Sequence, residues 1–172
     1  MLKEKITASL EKEFSQYGFA EPSVAQLKTT CNVSLRTLYK YYPSKEMMIV
    51  AALNYRHQRY ITFLQDDSTS DGVESILNIF NKLEQWMEEF APHGCLSINA
   101  IAAFPDNADI ASAVKSHKQA VRIFIAQKSQ REDLATALFL LHEGVSNTWP
   151  VFGAEAITSA KQTISQLMET NK

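Results

Sequence analysis

Apolar residues recur every three or four positions along most of the chain, which is the period of helices that bury one face. In the first segment Ile6, Leu10 and Phe14 predict a helix that ends at Gly18. No stretch shows the alternation that predicts a strand, and the chain has no internal repeat. The pattern predicts an all-α fold of about nine helices.

Two short helices joined by a tight turn follow this segment. Ser23 and Gln26 form a capping-box signature at the start of one, and Ser34 is the predicted N-cap of the other, which extends from Leu35 to Tyr42. Asn32 between them is the residue best able to adopt a left-handed conformation. The pair predicts a helix-turn-helix, whose second helix can lie in the major groove of DNA. An ordinary helical hairpin with a solvated face fits the same spacing.

The second helix of this pair should bury Leu38 and Tyr42, which are four residues apart. Its outward face carries Arg36, Thr37, Tyr39, Lys40 and Tyr41. Cations and hydroxyls of this kind can contact phosphates and base edges, so the face suits a nucleic acid better than a hydrophobic partner.

A resemblance to a known family favours the helix-turn-helix. The run TLYKYYPSKE, from Thr37 to Glu46, resembles the N-terminal domain of the tetracycline-repressor (TetR) family of bacterial transcriptional regulators, and so do the order and spacing of Gly18-Phe19, Ser23-Val24 and Val33-Ser34. The resemblance covers residues 1–60. It implies a homodimer on a palindromic DNA operator, and a repressor that a small-molecule effector releases from that operator.

The resemblance also implies a role for each outward residue. Base edges would be contacted by Leu35, Arg36, Thr37 and Lys40, and phosphates by Ser23, Tyr39, Tyr41 and Lys45. Four positions depart from the family pattern. Arg36 and Asn32 stand where glycine is usual, Pro22 stands where a helix-capping threonine is common, and Leu35 stands where a polar or basic side chain is usual. The operator sequence of a relative therefore does not transfer to this chain.

Charge is divided unevenly along the chain. The 172 residues have a formal net charge of only −2, but residues 1–65 contain nine Lys and Arg against five Asp and Glu, and the remainder contains eight against fourteen. The first part is therefore +4 and the second −6, which fits a basic DNA-binding domain attached to an acidic body. We expect a DNA-binding domain at residues 1–46, with a linking helix to about residue 64, and a ligand-binding and dimerisation domain at residues 47–172.

The second part of the chain shows further helical patterns. A loop is expected from Gln65 to Gly72, and a helix whose apolar stripe begins at Val73 follows it. The stretch from Cys95 to Phe104 is apolar on nearly all sides, which predicts a helix buried within a bundle. Ser129 begins a second capping-box signature, and this predicts a helix that starts there and stops before Pro150.

The last two helices form a predicted antiparallel hairpin, in which the final helix extends from about Ala154 to Glu169. The resemblance implies that two subunits join through this hairpin as a four-helix bundle. The expected interface residues are Leu134, Leu138, Leu141, Val145, Ile157, Ile164, Leu167 and Met168. An internal helix pair of a monomer is the alternative.

Aromatic side chains with polar groups among them indicate where an effector would bind, because small-molecule sites are usually apolar cavities with a few convergent polar groups. The candidate lining residues are Trp86, Phe90, Cys95, Asn99, Phe104, Phe124, Phe139, His142 and Trp149.

A second hypothesis concerns Cys95 alone. It should lie at a helix N-terminus near His93, where a thiol can become reactive toward oxidants or electrophiles. Burial as a small hydrophobe is the alternative.

Other functional classes lack their motifs here. The chain has no Gly-rich phosphate loop, no His-Glu-x-x-His helix and no nucleophile elbow, so we expect no enzyme, no cofactor and no metal site. A metal site formed by His117 and His142 is the alternative. The two cysteines form no disulfide framework and no apolar run approaches about 18 residues, so we expect a cytoplasmic protein. The alternative function is an α-helical interaction protein that has kept the fold without specific DNA binding.

Overall fold

The structure, a computed structural model, describes residues 1–65 and 71–169. Within these ranges the chain forms nine α-helices, one short 3₁₀ helix and no strand, which confirms the predicted all-α fold. The helices are α1 (Leu2–Tyr17), α2 (Val24–Thr30), α3 (Leu35–Tyr41), α4 (Lys45–Leu64), α5 (Val73–Phe90), α6 (Leu96–Ala103), α7 (Ala108–Ser129), α8 (Ala135–Phe152) and α9 (Ala154–Glu169). The 3₁₀ helix, Glu132–Leu134, precedes α8. The loop predicted from Gln65 to Gly72 lies mostly outside the described residues.

The chain divides into two compact units. Unit 1 consists of Met1–Arg59 and Leu96–His117, and unit 2 consists of Tyr60–Cys95 and the chain from Lys118 onward. Two of the divisions fall inside helices, namely α4 and α7. The assignment of residues 1–46 to DNA binding and of residues 47–172 to ligand binding and dimerisation concerns function, and it stays a prediction.

Unit 1 is organised around the apolar stripe of α1. Ile6, Leu10 and Phe14 are completely buried, as predicted, in one core with side chains of α2 and α3. The helix ends at Gly18, whose φ of 72° is left-handed and whose N–H donates to the Phe14 carbonyl at 2.9 Å. This packing makes α1 the support on which the two following helices rest.

Unit 2 has an aromatic core. The rings of Tyr60 and Trp86 have centroids 5.0 Å apart, and those of Trp86 and Phe90 are 4.8 Å apart. Phe80 is completely buried in the same core. The stripe predicted for α5 is largely buried, but Val73 is 38% exposed. Val73 is the first residue of its helix, and an apolar side chain at a helix end is often left at the surface.

The helix predicted to be buried on all sides, α6, is buried on one face only. Leu96 and Ala100 belong to the core of unit 1, while Ile98 is 40% exposed and Asn99 is also exposed. The prediction was wrong because apolar side chains are frequent on protein surfaces, and eight residues are too few to show which face a helix buries.

Two predicted helix ends are also wrong. Ser129 is the last residue of α7, where its hydroxyl donates to the Ala126 carbonyl at 3.1 Å and accepts from the Arg131 N–H at 3.2 Å. At the other end, α8 continues past Pro150. A proline in the last turn removes only one backbone hydrogen bond. Its ring lies 3.3 Å from where a Cβ would stand on Gly94, so the glycine leaves room for it.

Candidate nucleic-acid interface and the helical body

The turn between α2 and α3 has the predicted geometry. The Ser23 hydroxyl accepts from the Gln26 N–H at 3.3 Å, and the Gln26 side chain accepts from the Ser23 N–H at 2.7 Å. Asn32 has a left-handed φ of 51°. Ser34 caps α3 by accepting from the Thr37 N–H at 3.0 Å. The chain therefore reverses sharply between the two helices, as a helix-turn-helix requires.

Two inward side chains fix α3 on α1. Leu38 is completely buried, and Tyr42, just after the helix, is 4% exposed, as predicted. The Tyr42 hydroxyl forms a buried hydrogen bond of 2.5 Å with the Thr7 hydroxyl of α1. The outward side of α3 is thereby held in a fixed orientation on α1.

Four exposed side chains form the outward surface of α3, which we call the reading face: Leu35, Arg36, Tyr39 and Lys40. Arg36 and Lys40 are four residues apart, so they lie on the same side of the helix. Leu35 is 43% exposed and Tyr39 is 44% exposed beside them. Two cations flanked by these side chains can meet the phosphates and the base edges of a DNA duplex.

Three other residues of the predicted interface are partly engaged within the chain. The Ser23 hydroxyl caps α2, and the Thr37 hydroxyl lies 2.9 Å from the Ser34 hydroxyl. Tyr41 is half-buried against the core of unit 1. The DNA contacts of these residues stay predictions.

Lys45 is the first residue of α4 and reaches the turn that follows α1. Its ammonium donates to the Ala20 carbonyl at 3.5 Å. Partial burial lowers the pKa of Lys45, and the carboxylate of Glu46 opposes that shift. Because a contact of this length is weak, the ammonium can exchange it for a phosphate oxygen.

A buried cluster of charges, which was not predicted, joins α1 to α4 in unit 1. Glu11 is 4% exposed, and its two oxygens accept from the guanidinium groups of Arg56 at 2.5 Å and Arg59 at 3.1 Å. Arg56 also donates to the Ser15 hydroxyl at 2.9 Å. The signal in the sequence is a polar stripe at four-residue spacing, Thr7-Glu11-Ser15, beside the apolar stripe of α1. One carboxylate thus ties the middle of α4 to α1.

The predicted effector-site residues do not form one group. Six of them lie in or against the aromatic core of unit 2, namely Trp86, Phe90, Phe124, Phe139, His142 and Trp149. Phe104 packs against the core of unit 1, and Asn99 is exposed on α6. Cys95 is half-buried and immediately precedes α6, as predicted. The aromatic pattern therefore identified a core, but it mixed residues of two units.

A chain of polar groups runs through unit 2. The Tyr60 hydroxyl lies 2.6 Å from His142 Nε2, and His142 Nδ1 lies 3.2 Å from one Glu143 oxygen. The other Glu143 oxygen pairs with the Lys118 ammonium, which also donates to the Cys95 sulfur at 3.3 Å. We call these five residues the polar chain. The sequence pointed to His142 and Cys95. It did not point to Lys118 and Glu143, because charged residues within a helix are usually solvated, or to Tyr60, which belongs to the apolar stripe of α4.

Burial and neighbouring charges shift pKa values along the polar chain. Burial lowers the pKa of His142 against the opposing effect of Glu143, so the imidazole is neutral at pH 7. Burial also raises the pKa of Tyr60 well above its ordinary value. For Lys118 and Glu143 burial opposes the charge, but neighbours outweigh it: Cys95 and Glu143 raise the pKa of Lys118, and His142 and Lys118 lower that of Glu143. The polar chain therefore holds a stable ion pair.

Half of the residues predicted for the dimer interface are buried within their own subunit instead. Four of the residues belong to the core of unit 2, namely Leu138, Val145, Ile157 and Ile164. None of them is more than 3% exposed, so they cannot contact a second subunit without leaving that core. The apolar stripes of α8 and α9 on which these four residues lie face the core of unit 2, whereas the prediction assigned them to a surface that faces outward. The other four are half-buried: Leu134, Leu141, Leu167 and Met168.

The opposite side of α8 carries an exposed apolar surface. Leu140 is 61%, Val151 is 78% and Phe152 is 53% exposed. Beside Phe152, α8 and α9 border a groove of about 360 Å³. Most of its lining consists of small side chains, including Gly144, Ala156, Ser159, Ala160 and Thr163. We call these three exposed residues and the groove the α8–α9 face.

The two histidines of the alternative metal site have other partners. His117 stacks on His57 with ring centroids 4.3 Å apart, and its Nε2 lies 2.7 Å from Asn54 Oδ1. His142 belongs to the polar chain. In the described part of the chain, no three His, Cys, Asp or Glu residues are grouped so that they could hold a metal ion.

Among the helices of residues 1–65 and 71–169, none combines the length and the apolar content needed to cross a membrane.

Sequence comparisons match a part of the chain. Residues 6–52 match the family model for bacterial regulatory proteins of the tetR family. YuxN of Bacillus subtilis (strain 168), an uncharacterised HTH-type transcriptional regulator, is 34% identical over 64 residues, which are 36% of this chain. The match spans 22% of that relative's length. The residues that the family model matches include the helix-turn-helix.

Solved structures resemble nearly the whole chain. The reduced form of NemR from E. coli has a TM-score of 0.79 and 24% identity, over 99% of this chain and 98% of that chain. The TetR-family regulator SCO4454 from Streptomyces coelicolor has a TM-score of 0.81 and 17% identity, over 97% of this chain and 94% of that chain. At these identities the likeness shows the fold, and it extends well beyond residue 52.

Proposed function

We propose that this chain, which belongs to the TetR family of bacterial regulatory proteins, is a homodimeric transcriptional repressor that leaves a palindromic DNA operator when a small-molecule effector binds. The main support for this proposal is the geometry of the reading face. It lies on a capped helix that Leu38 and Tyr42 fix on α1, and it presents Arg36 and Lys40 outward. We place the protein in the cytoplasm, where such an operator would be bound.

Arg36 and Lys45 have different proposed roles. A guanidinium can bind the O6 and N7 atoms of guanine with two hydrogen bonds, so exposed Arg36 would read sequence. The Lys45 ammonium would hold a phosphate, which positions the domain on DNA without reading sequence. The two residues should therefore respond differently to a change of DNA sequence.

Effector binding would be coupled to DNA binding through α4. This helix begins at Lys45, carries Arg56 and Arg59 of the buried charge cluster, and ends in unit 2 after Tyr60 of the polar chain. A shift of α4 would change the separation of the two α3 helices in a dimer, which would then no longer fit adjacent major grooves. Because coupling is reciprocal, effector and operator must weaken each other's binding by the same factor.

The proposed function is tested by selecting bound sequences from random duplex DNA at physiological salt. We expect the wild-type chain to enrich a palindrome. Arg36→Ala should lose about 1–3 kcal/mol of binding free energy on that palindrome and much less on random DNA, because only the former offers the guanine contact. Lys45→Ala should weaken binding to both DNAs equally and reduce the slope of log K against log salt by about 1.

A matched control for these variants is Lys115→Ala, which removes an exposed cation of α7. It should leave binding to both DNAs unchanged. If Arg36→Ala weakens specific and random binding equally, Arg36 does not read sequence. If the wild-type chain enriches no sequence and its weak DNA binding is insensitive to salt, the α-helical interaction protein becomes the better explanation.

One contact of the polar chain favours a second candidate function, in which Cys95 senses electrophiles. The Lys118 ammonium donates to the Cys95 sulfur at 3.3 Å, so this thiol has a cation as its neighbour. The other cysteine has a different environment. Burial, with a smaller effect from Glu13, raises the pKa of Cys31 to about 11, so its thiol stays protonated at neutral pH.

We expect iodoacetamide to alkylate Cys95 at least about ten-fold faster than Cys31 at pH 7, because the raised pKa of Cys31 leaves almost none of its thiol as the reactive thiolate. Mass spectrometry of the digested protein measures both rates. Lys118→Gln should slow the reaction of Cys95 and leave Cys31 unchanged, while Lys115→Gln should change neither. A faster reaction at Cys31 would contradict this assignment. If Cys95→Ser left release from the operator by electrophiles unchanged, the sensor function would be excluded.

A further inference from the structure

Leu35 places a large apolar side chain on the reading face. It is 43% exposed and adjoins Arg36 in the sequence. A single exposed leucine is common on protein surfaces and carries no meaning by itself. The position of Leu35 is what distinguishes it, because it lies in the first turn of α3, and the first residues of a recognition helix are those that contact base edges.

The chemistry of the major groove restricts what a leucine can recognise there. Guanine, cytosine and adenine present hydrogen-bonding groups, and thymine alone adds an apolar group, its 5-methyl. A leucine neither donates nor accepts, so against a polar base edge it would displace water without replacing the lost hydrogen bonds. Against the thymine methyl it would remove apolar surface of both partners from water.

Thr37, whose own methyl group could also contact a thymine methyl, is already engaged. Its N–H donates to the Ser34 hydroxyl at 3.0 Å, and its own hydroxyl lies 2.9 Å from the same oxygen. These bonds hold its half-buried side chain at the helix cap. Leu35, with more than two fifths of its surface exposed, is the apolar side chain that the first turn presents to a partner.

We propose that Leu35 determines sequence specificity by contacting the 5-methyl group of one thymine in each half of the operator. The inference rests on the proposed function, since it requires that α3 enter the major groove. It adds the identity of a base to that function. Arg36 would read guanine through hydrogen bonds and Leu35 would read thymine through its methyl group, so neighbouring residues would use different chemistry.

The experiment uses the palindrome enriched by the full chain. Each thymine is replaced in turn by deoxyuridine, which lacks only the methyl group, and binding is measured by fluorescence anisotropy. For the wild-type chain we expect one thymine in each half-site whose replacement weakens binding about four-fold, which corresponds to about 0.8 kcal/mol for one buried methyl group. Replacement in both half-sites should weaken binding about sixteen-fold. Leu35→Ala should bind the thymine operator more weakly and be indifferent to these replacements.

The matched control is Leu2→Ala, which truncates another half-exposed leucine of unit 1 and should keep the wild-type sensitivity to deoxyuridine. If no methyl group contributes to wild-type binding, or if Leu35→Ala keeps the wild-type sensitivity, Leu35 does not read thymine, while the enriched palindrome still supports a DNA-binding regulator. If no sequence is enriched at all, the proposed function fails and this inference fails with it.

Discussion

Replacing Glu11 with alanine should lower the free energy of unfolding by about 3–5 kcal/mol. The Glu11 carboxylate is 4% exposed and faces Arg56, which is itself 8% exposed, and also Arg59. Without the carboxylate, the buried Arg56 guanidinium would lose its ion pair with Glu11. Breaking a buried pair in this way costs far more than the intact pair contributes, because the remaining ion keeps its desolvation penalty.

Urea unfolding followed by circular dichroism measures this loss at one fixed protein concentration, since the stability of a dimer depends on concentration. The matched control is Glu21→Ala, which removes an exposed carboxylate from the turn after α1 and should change stability by less than about 0.5 kcal/mol. A Glu11→Ala protein as stable as this control would contradict a buried cluster that joins α1 to α4.

The same cluster is part of a set of contacts that connects α4 to the helix of the reading face, α3. Glu11 ties Arg56 of α4 to α1, and the hydrogen bond between Thr7 and Tyr42 ties α1 to the end of α3. If α4 is displaced, α1 should therefore move with it, and α3 should move with α1. The coupling proposed for the effector needs such rigid connections, because a change at one end of a helix is otherwise absorbed by loose contacts.

The helix-turn-helix could be predicted because its signals are local. Ser23 and Ser34 cap their helices through their own hydroxyls, and Asn32 adopts the left-handed conformation that its short polar side chain tolerates. None of these depends on the rest of the fold. The final helix was likewise predicted with its observed bounds, Ala154–Glu169, since a turn with a glycine precedes it and a clear apolar stripe runs along it.

Features that depend on distant neighbours could not be predicted from one sequence. Leu138 and Leu140 are two leucines of the same helix, yet one is completely buried and the other is 61% exposed. An apolar stripe does not say whether its own chain or a second subunit covers it. The polar chain was missed for a similar reason, because Lys118 and Glu143 are 25 positions apart in the sequence and meet only in the folded unit.

Phe152→Glu should separate the two subunits of the proposed dimer. In a two-fold dimer each α8–α9 hairpin packs against its copy, and small lining residues such as Gly144 and Ala160 let the helices approach closely. Phe152, now 53% exposed, would be covered. A glutamate would bury an uncompensated carboxylate twice in each dimer, at a cost of several kcal/mol. We expect sedimentation velocity to show a dissociation constant raised by at least about 100-fold.

The loss of the dimer should also be visible on DNA. A monomer contacts one half-site, so the slope of log K against log salt on the full palindrome should fall to about half its wild-type value. Val73→Glu is the matched control, since it places the same charge on an exposed apolar position of α5 and should leave both the dimer and the slope unchanged. A Phe152→Glu protein that remains dimeric would show that the subunits join through another surface. A folded monomer with half the salt slope would assign the interface to the α8–α9 face, because Phe152 is not one of the side chains that form the core of its own subunit.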